Sequence, residues 1–317
     1  MRLNIVYKDM KKKITDEACT PVRIGDYELL TELKTKDAGF SKWGFCKRDG
    51  RVYFIKEFLK PVFPMDETLF GQELLEHKRE ECRAFYGKRK AFYEALRQCM
   101  TGNIIIGEDF FRSGSRYYLV TEKVESSPID PVRLTAQQKE CLIRSILYSM
   151  ARLHEAGIVH GDLKPKNLLL KPTRDGFYTA KIIDFDAGFL RGTQPEKDEL
   201  QVDYSYMAPE TFLRLKGKEA RLDEKIDIFA LGLVFHRYWA GCLPRVDEPQ
   251  RYVWQAVLNG EEFHLAETIP EDLQEILLRM LARDPEERPG AAQILRLFQE
   301  RNVLREAKYF YISHALD

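Results

Sequence analysis

The stretch His160-Gly161-Asp162-Leu163-Lys164-Pro165-Lys166-Asn167, followed by Ile182-Ile183-Asp184-Phe185-Asp186, decides how this chain is read. One loop carries an acid, a cation two residues later and an amide five residues later. A second carboxylate follows a short apolar run typical of a strand. Moving a phosphoryl group between oxygens calls for such a set. A carboxylate orients the attacking hydroxyl, a cation offsets charge on the transferred group, and hard oxygens hold a divalent metal.

Working outward, the segment from Tyr27 to Phe58 reads as β-structure. Tyr27–Leu30, Lys42–Arg48 and Val52–Ile55 are strand candidates, with Asp49-Gly50 as the hairpin turn. A Pro61–Pro64 insertion precedes a helix predicted over about Thr68–Met100. Its apolar positions Cys82, Phe85, Tyr86, Phe92, Leu96 and Cys99 recur mostly at three- and four-residue steps. Strands are expected over Ile104–Phe111 and Arg116–Val124 around Ser113-Gly114-Ser115. Helices are expected over Thr135–Ala156, Asp223–Trp239 and Glu271–Ala282. The fold class is therefore α+β with two lobes: a small β-rich part with one long helix, then a larger, mainly helical part. The expected boundaries are an extension over 1–26, lobes over 27–124 and 125–298, and a tail over 299–317.

The chain has 317 residues, 44% of them hydrophobic, enough for a sizeable core. Lys+Arg and Asp+Glu both number 50, so no global field favours nucleic acid or an anionic membrane. No apolar stretch has the length to span a bilayer, and Met1–Ile5 lacks a signal-type run. The six cysteines contain no C-x-x-C pair, so reduced thiols and a cytoplasmic setting are expected.

Taken together, the two loops resemble the catalytic and metal-binding loops of the eukaryotic-like Ser/Thr protein kinase family. The resemblance continues through Tyr206-Met207-Ala208-Pro209-Glu210, Asp227 in Asp227-Ile228-Phe229-Ala230-Leu231-Gly232, and Arg288 in Arg283-Asp284-Pro285-Glu286-Glu287-Arg288-Pro289. It covers about Tyr27 to Phe298. It implies ATP and Mg²⁺ as cofactors, a protein substrate, Asp162 and Lys164 as catalytic residues, and Asn167 and Asp184 as metal ligands. It further implies that Lys56 holds the α- and β-phosphates and that a helix glutamate, Glu81 or Glu94, pairs with it. Glu81, bordering the apolar face, is the expected one. Gly39 lies in the phosphate-cradling loop, and backbone groups of Glu122 and Val124 meet the adenine edge beside Thr121. Ala38–Trp43 and Lys56–Pro61 are similar to a bacterial branch, whose kinases neighbour von Willebrand A-type and phosphatase proteins as possible partners.

Four departures accompany the resemblance. Lys36, Ala38 and Ser41 stand where loop glycines are expected, which favours, as an alternative, a pseudokinase serving as a binding or scaffolding module. Gly161 replaces an arginine, arguing against switching by loop phosphorylation. Asp186 replaces a glycine. Asp203 stands where this class usually has a threonine that contacts the acid and the lysine of the catalytic loop.

Overall fold

The computed structural model describes residues 21–35, 41–197, 199–200, 202–248 and 251–301. The phosphate-loop residues 36–40, Gly39 among them, and most of the predicted extension and tail lie outside the described residues. The α+β class holds. The chain forms two compact units: residues up to Lys90 with Gly107–Pro128, and Ala91–Ile106 with the residues from Ile129 onward.

The first unit is built on a six-stranded antiparallel sheet of β1 (Arg23–Ile24), β2 (Tyr27–Leu29), β3 (Ser41–Arg48), β4 (Arg51–Phe58), β5 (Gly107–Ser113) and β6 (Arg116–Glu122), in the order β1-β2-β3-β4-β6-β5. The turn between β3 and β4 forms at Asp49-Gly50, with φ of +50° and +76°, the pair of left-handed residues a two-residue hairpin demands. Ile24, Tyr27, Cys46, Tyr53, Ile55, Tyr118 and Val120 cluster as the core of this sheet. The predicted long helix is α1 (Gln72–Arg97). It begins later than expected because Glu67–Leu69 forms a separate 3₁₀ turn capped by Asp66, and extended Phe70 breaks the run.

The second unit carries α2 (Ala136–Glu155), α3 (Pro209–Leu215), α4 (Lys225–Ala240), α5 (Val253–Asn259), α6 (Glu271–Met280) and a further helix over 291–301. Helix α2 starts where the sequence predicts: the Thr135 side chain accepts from Gln138 N–H while Gln138 reaches back to the Thr135 N–H. Helix α4 is apolar on every side and buried almost throughout, so it is the unit's central post. A β-carbon on Gly232 would sit 3.0 Å from Leu281, which shows how closely the chain after α6 approaches α4.

One predicted strand is divided. Within Ile104–Phe111, only Gly107 onward joins β6, whereas Ile104 and its neighbours pair with β9 (Tyr178–Ile182) in the second unit through Ile105 N–H to Ile182 O and Ile182 N–H to Asn103 O. The expected boundary between the lobes is crossed for the same reason. Phe92, Tyr93 and Leu96 of α1 are buried, and together with 98–106 they group with the second unit.

Candidate active site

The catalytic loop of the second unit is suspended between β7 (Ile158–Val159) and β8 (Leu168–Pro172), and β8 pairs with β9. This hairpin explains why the residue before Asp184 is bonded to Asn167 despite their separation in sequence. Leu168 faces Ile182 in the ladder, and the Ile183 N–H donates to the Asn167 carbonyl at 3.0 Å. Asp184 follows at φ +64°, a left-handed conformation that aspartate tolerates better than most residues, and its side chain is exposed.

Asp162 sits at the centre. Lys164 Nζ lies 2.7 Å from its Oδ2, and the Asn167 amide donates both to its backbone carbonyl (2.8 Å) and to Oδ2 (3.2 Å). Because the Asn167 nitrogen is committed to Asp162, its carbonyl oxygen is the atom left to face a cation. Burial pushes the Asp162 carboxyl above the usual aspartate range, and the Lys164 ammonium opposes that rise. A carboxyl raised by burial and bonded to a cation and an amide is a group suited to accepting a proton.

The loop is braced from below by Asp227, 1% exposed on α4. Its Oδ2 accepts the His160 N–H at 2.8 Å and meets His154 Nε2 at 3.0 Å, while Oδ1 accepts the Gly161 N–H at 2.9 Å. The His160 ring packs at a 45° tilt against Phe185 at 4.6 Å between centroids and meets the Ile183 carbonyl at 3.0 Å, tying the two loops together. Gly161 is required here: its φ is +79° and a β-carbon would lie 2.6 Å from the Ala187 carbonyl oxygen. Sequence reasoning missed His154, although it continues the buried stripe of α2 one turn after Met150.

Segment 202–211 packs onto this loop, leaving a cavity of only about 20 Å³ lined by Asp162, Asp203, Tyr206 and Asp227 among others. Asp203 Oδ2 stands 3.9 Å from Lys164 Nζ, so the lysine lies between two carboxylates. Farther out, Arg288 is fully enclosed and forks onto Glu210 at 2.6 and 2.9 Å, with added bonds to the Ala282 and Lys225 carbonyls.

In the first unit, Lys56 is 7% exposed on β4, between Trp43 of β3 and Leu119 of β6. Alternation places it on the sheet face opposite Ile55. Glu122 ends β6 and Val124 follows it. Glu81, the glutamate expected to pair with Lys56, is exposed. At this turn α1 buries Cys82, and a neighbour in sequence is rotated by about 100° around the helix. Glu94 is exposed as well.

A divalent metal fits the donor set. Asn167 and Asp184 offer hard oxygens, and no group of three His, Cys, Asp or Glu side chains able to hold a metal occurs among the described residues. Two side-chain oxygens, with water and substrate phosphates completing the shell, is the usual environment of Mg²⁺ and not of a metal fully caged by protein.

Comparison with known proteins agrees with this geometry. The family profile described as protein kinase domain matches residues 78–297, starting after Lys56. A probable myosin light chain kinase of Dictyostelium discoideum is 27% identical over 172 residues, 53% of this chain and 54% of that protein. A calcium and calcium/calmodulin-dependent serine/threonine-protein kinase of Oryza sativa subsp. japonica is 31% identical over 159 residues, 49% and 30% of the two chains. Ribosomal protein S6 kinase 2 alpha of Gallus gallus is 28% identical over 214 residues, 63% and 28%. The chain spans about half or less of the length of these relatives. With the profile covering more than half of the chain and the catalytic-loop residues joined by hydrogen bonds, the chain belongs to the protein kinase domain family.

Proposed function

We propose that this protein is an active serine/threonine kinase that transfers the γ-phosphate of ATP to a protein hydroxyl with Mg²⁺. The observation that carries this reading is the network around Asp162, in which Lys164 and Asn167 both reach its Oδ2 while the β8–β9 hairpin brings Asp184 alongside Asn167. Asp162 orients the acceptor hydroxyl and takes its proton at Oδ1 or Oδ2. Lys164 offsets charge growing on the transferred group. Asn167 and Asp184 hold the metal, which when bound neutralises phosphate charge. Lys56 engages the α- and β-phosphates, and backbone groups of Glu122 and Val124 border the adenine.

The test is incubation with Mg²⁺, γ-labelled ATP and a generic protein acceptor. Wild type is expected to transfer label to serine or threonine, and Asp162→Asn to lose about a hundredfold or more. Equal labelling by both proteins refutes the role of Asp162, and a phosphotyrosine-only product refutes the acceptor class. The pseudokinase reading draws on the side chains that replace glycine at Lys36, Ala38 and Ser41. Absence of transfer together with retained ATP binding would favour it. A reducing, cytoplasmic setting accords with the unpaired thiols of Cys46, Cys82, Cys99, Cys141 and Cys242. A bacterial placement, with von Willebrand A-type or phosphatase partners, draws only on Ala38–Trp43 and Lys56–Pro61, since the relatives named above are eukaryotic.

A further inference from the structure

Asp203 is the residue of this site whose chemistry differs most from a hydroxyl at the same place. Its Oδ1 accepts the Ser205 N–H at 3.0 Å, and its backbone carbonyl accepts from both Tyr206 and Met207 at 3.0 Å, so its carboxylate is fixed in direction. Oδ2 stands at 3.9 Å from Lys164, a loose contact, and the side chain keeps 36% of its surface open. The next residue, Tyr204, is 50% exposed and Tyr252 is 39% exposed. Their rings lie 6.1 Å apart, and Tyr252 stacks on Trp254 at 6.3 Å and 12°. Trp254 is buried against Phe212 at 4.4 Å, and its indole N–H donates to the Tyr204 carbonyl at 3.0 Å. A buried tryptophan thus anchors the backbone beside Asp203 and supports an exposed aromatic face next to it.

A directed carboxylate beside exposed aromatic faces suits a cationic side chain: the carboxylate pairs with the charge while the π-faces receive its flat or methylene surface. Arg251, which precedes Tyr252 in the chain, does not supply that charge, because it is engaged by Glu248 at 2.7 Å and by Glu261. The separation also sets where the cation comes from. Asp162 and Asp203 both contact Lys164, so their carboxylates are no farther apart than those two contacts laid end to end. An extended chain advances about 3.3–3.6 Å per residue. A side chain one or two positions from a hydroxyl seated at Asp162 therefore reaches Asp203.

We infer that Asp203, Tyr204 and Tyr252 form a subsite for an arginine or lysine lying one or two residues from the phosphoacceptor. The protein substrate is then basic next to its acceptor residue. This rests on the proposed kinase activity for its biological meaning, but its test does not require catalysis.

Fluorescently labelled peptides carry alanine in place of the acceptor and either arginine or glutamine at the flanking positions. Their binding to the 317-residue chain is followed by anisotropy. The arginine peptide is expected to bind about fivefold tighter than the glutamine peptide, with the difference shrinking as salt rises. Asp203→Asn keeps an oxygen for the Ser205 N–H and removes only the charge; it is expected to abolish the difference. Tyr252→Leu, which retains the backbone cap of α5, is expected to halve it or more. Equal affinity for the two peptides, or an arginine preference unchanged in Asp203→Asn, overturns the inference. Label transfer to serine peptides is measured in parallel. Transfer without basic preference removes the subsite and leaves the kinase reading standing. Basic-selective binding without transfer removes the kinase reading and leaves the subsite.

Discussion

Replacing Asp227 tests whether the catalytic loop is held by one buried carboxylate. The carboxylate receives three donors: the His160 N–H at 2.8 Å, the Gly161 N–H at 2.9 Å and His154 Nε2 at 3.0 Å. With Asp227 1% exposed and His160 fully buried, water has little access to replace a lost acceptor. A buried donor left without a partner costs about 1–3 kcal/mol. Asp227→Asn keeps one oxygen, best placed on the two donors at Oδ2, and strands the Gly161 N–H, for a loss of about 1–3 kcal/mol. Asp227→Ala strands both backbone donors and the imidazole, and the backbone pair alone costs about 2–6 kcal/mol. At roughly 2–4 °C per kcal/mol in a chain of this size class, alanine is expected to lower the melting temperature by about 5 °C or more, and asparagine by less. Circular dichroism melts of the three proteins give the ordering directly. Label transfer should fall in the same order, because the His160–Gly161 peptide that fails is the one leading into Asp162. An alanine variant melting within about 1 °C of wild type would refute this account of the loop.

Other outcomes follow from the same geometry. Because burial raises the Asp162 pKa above its unfolded value, the native state binds that proton more tightly than the unfolded chain does. The ionised group then destabilises the fold above its folded pKa, and the penalty disappears as pH falls through that pKa. Asp162→Asn should therefore be at least as stable as wild type at neutral pH, with the gap narrowing on acidification in paired thermal melts; a variant much less stable at neutral pH contradicts this. Glu210→Ala should cost about 3–5 kcal/mol by leaving Arg288 charged and enclosed, whereas an apolar pair replacing both residues should recover most of the loss in urea denaturation. Gly161→Ala and Gly161→Arg should both destabilise by about 1–2 kcal/mol for the left-handed backbone alone, with a further cost for the contact at the Ala187 carbonyl; unchanged melting would disprove the need for glycine.

Much of the fold was legible because its signals are local. Asp49-Gly50 set the first hairpin, and the helical spacing of Leu142, Ile143, Ile146, Leu147, Met150 and Leu153 within Thr135–Ala156 marked a buried face that is 0% exposed throughout. The division of Ile104–Phe111 was not legible, since an apolar run gives a strand no indication of which partner will pair with it. The direction of the Glu81 side chain, which is exposed, was not legible for a similar reason. Bordering an apolar stripe leaves the direction of a side chain open by about a quarter turn, enough to separate a buried partner from an exposed one.

The sequence by itself determined the chemical inventory. Asp162, Lys164, Asn167 and Asp184, in that order and spacing, announce phosphoryl transfer because short-range spacing within a loop survives folding unchanged. Only the tertiary structure decided how these groups act on one another. It set Lys164 between Asp162 and Asp203, committed the Asn167 nitrogen to Asp162, and hung the loop on Asp227 and His154. Those contacts join residues up to 73 positions apart, and their geometry depends on packing and burial, which no local pattern encodes.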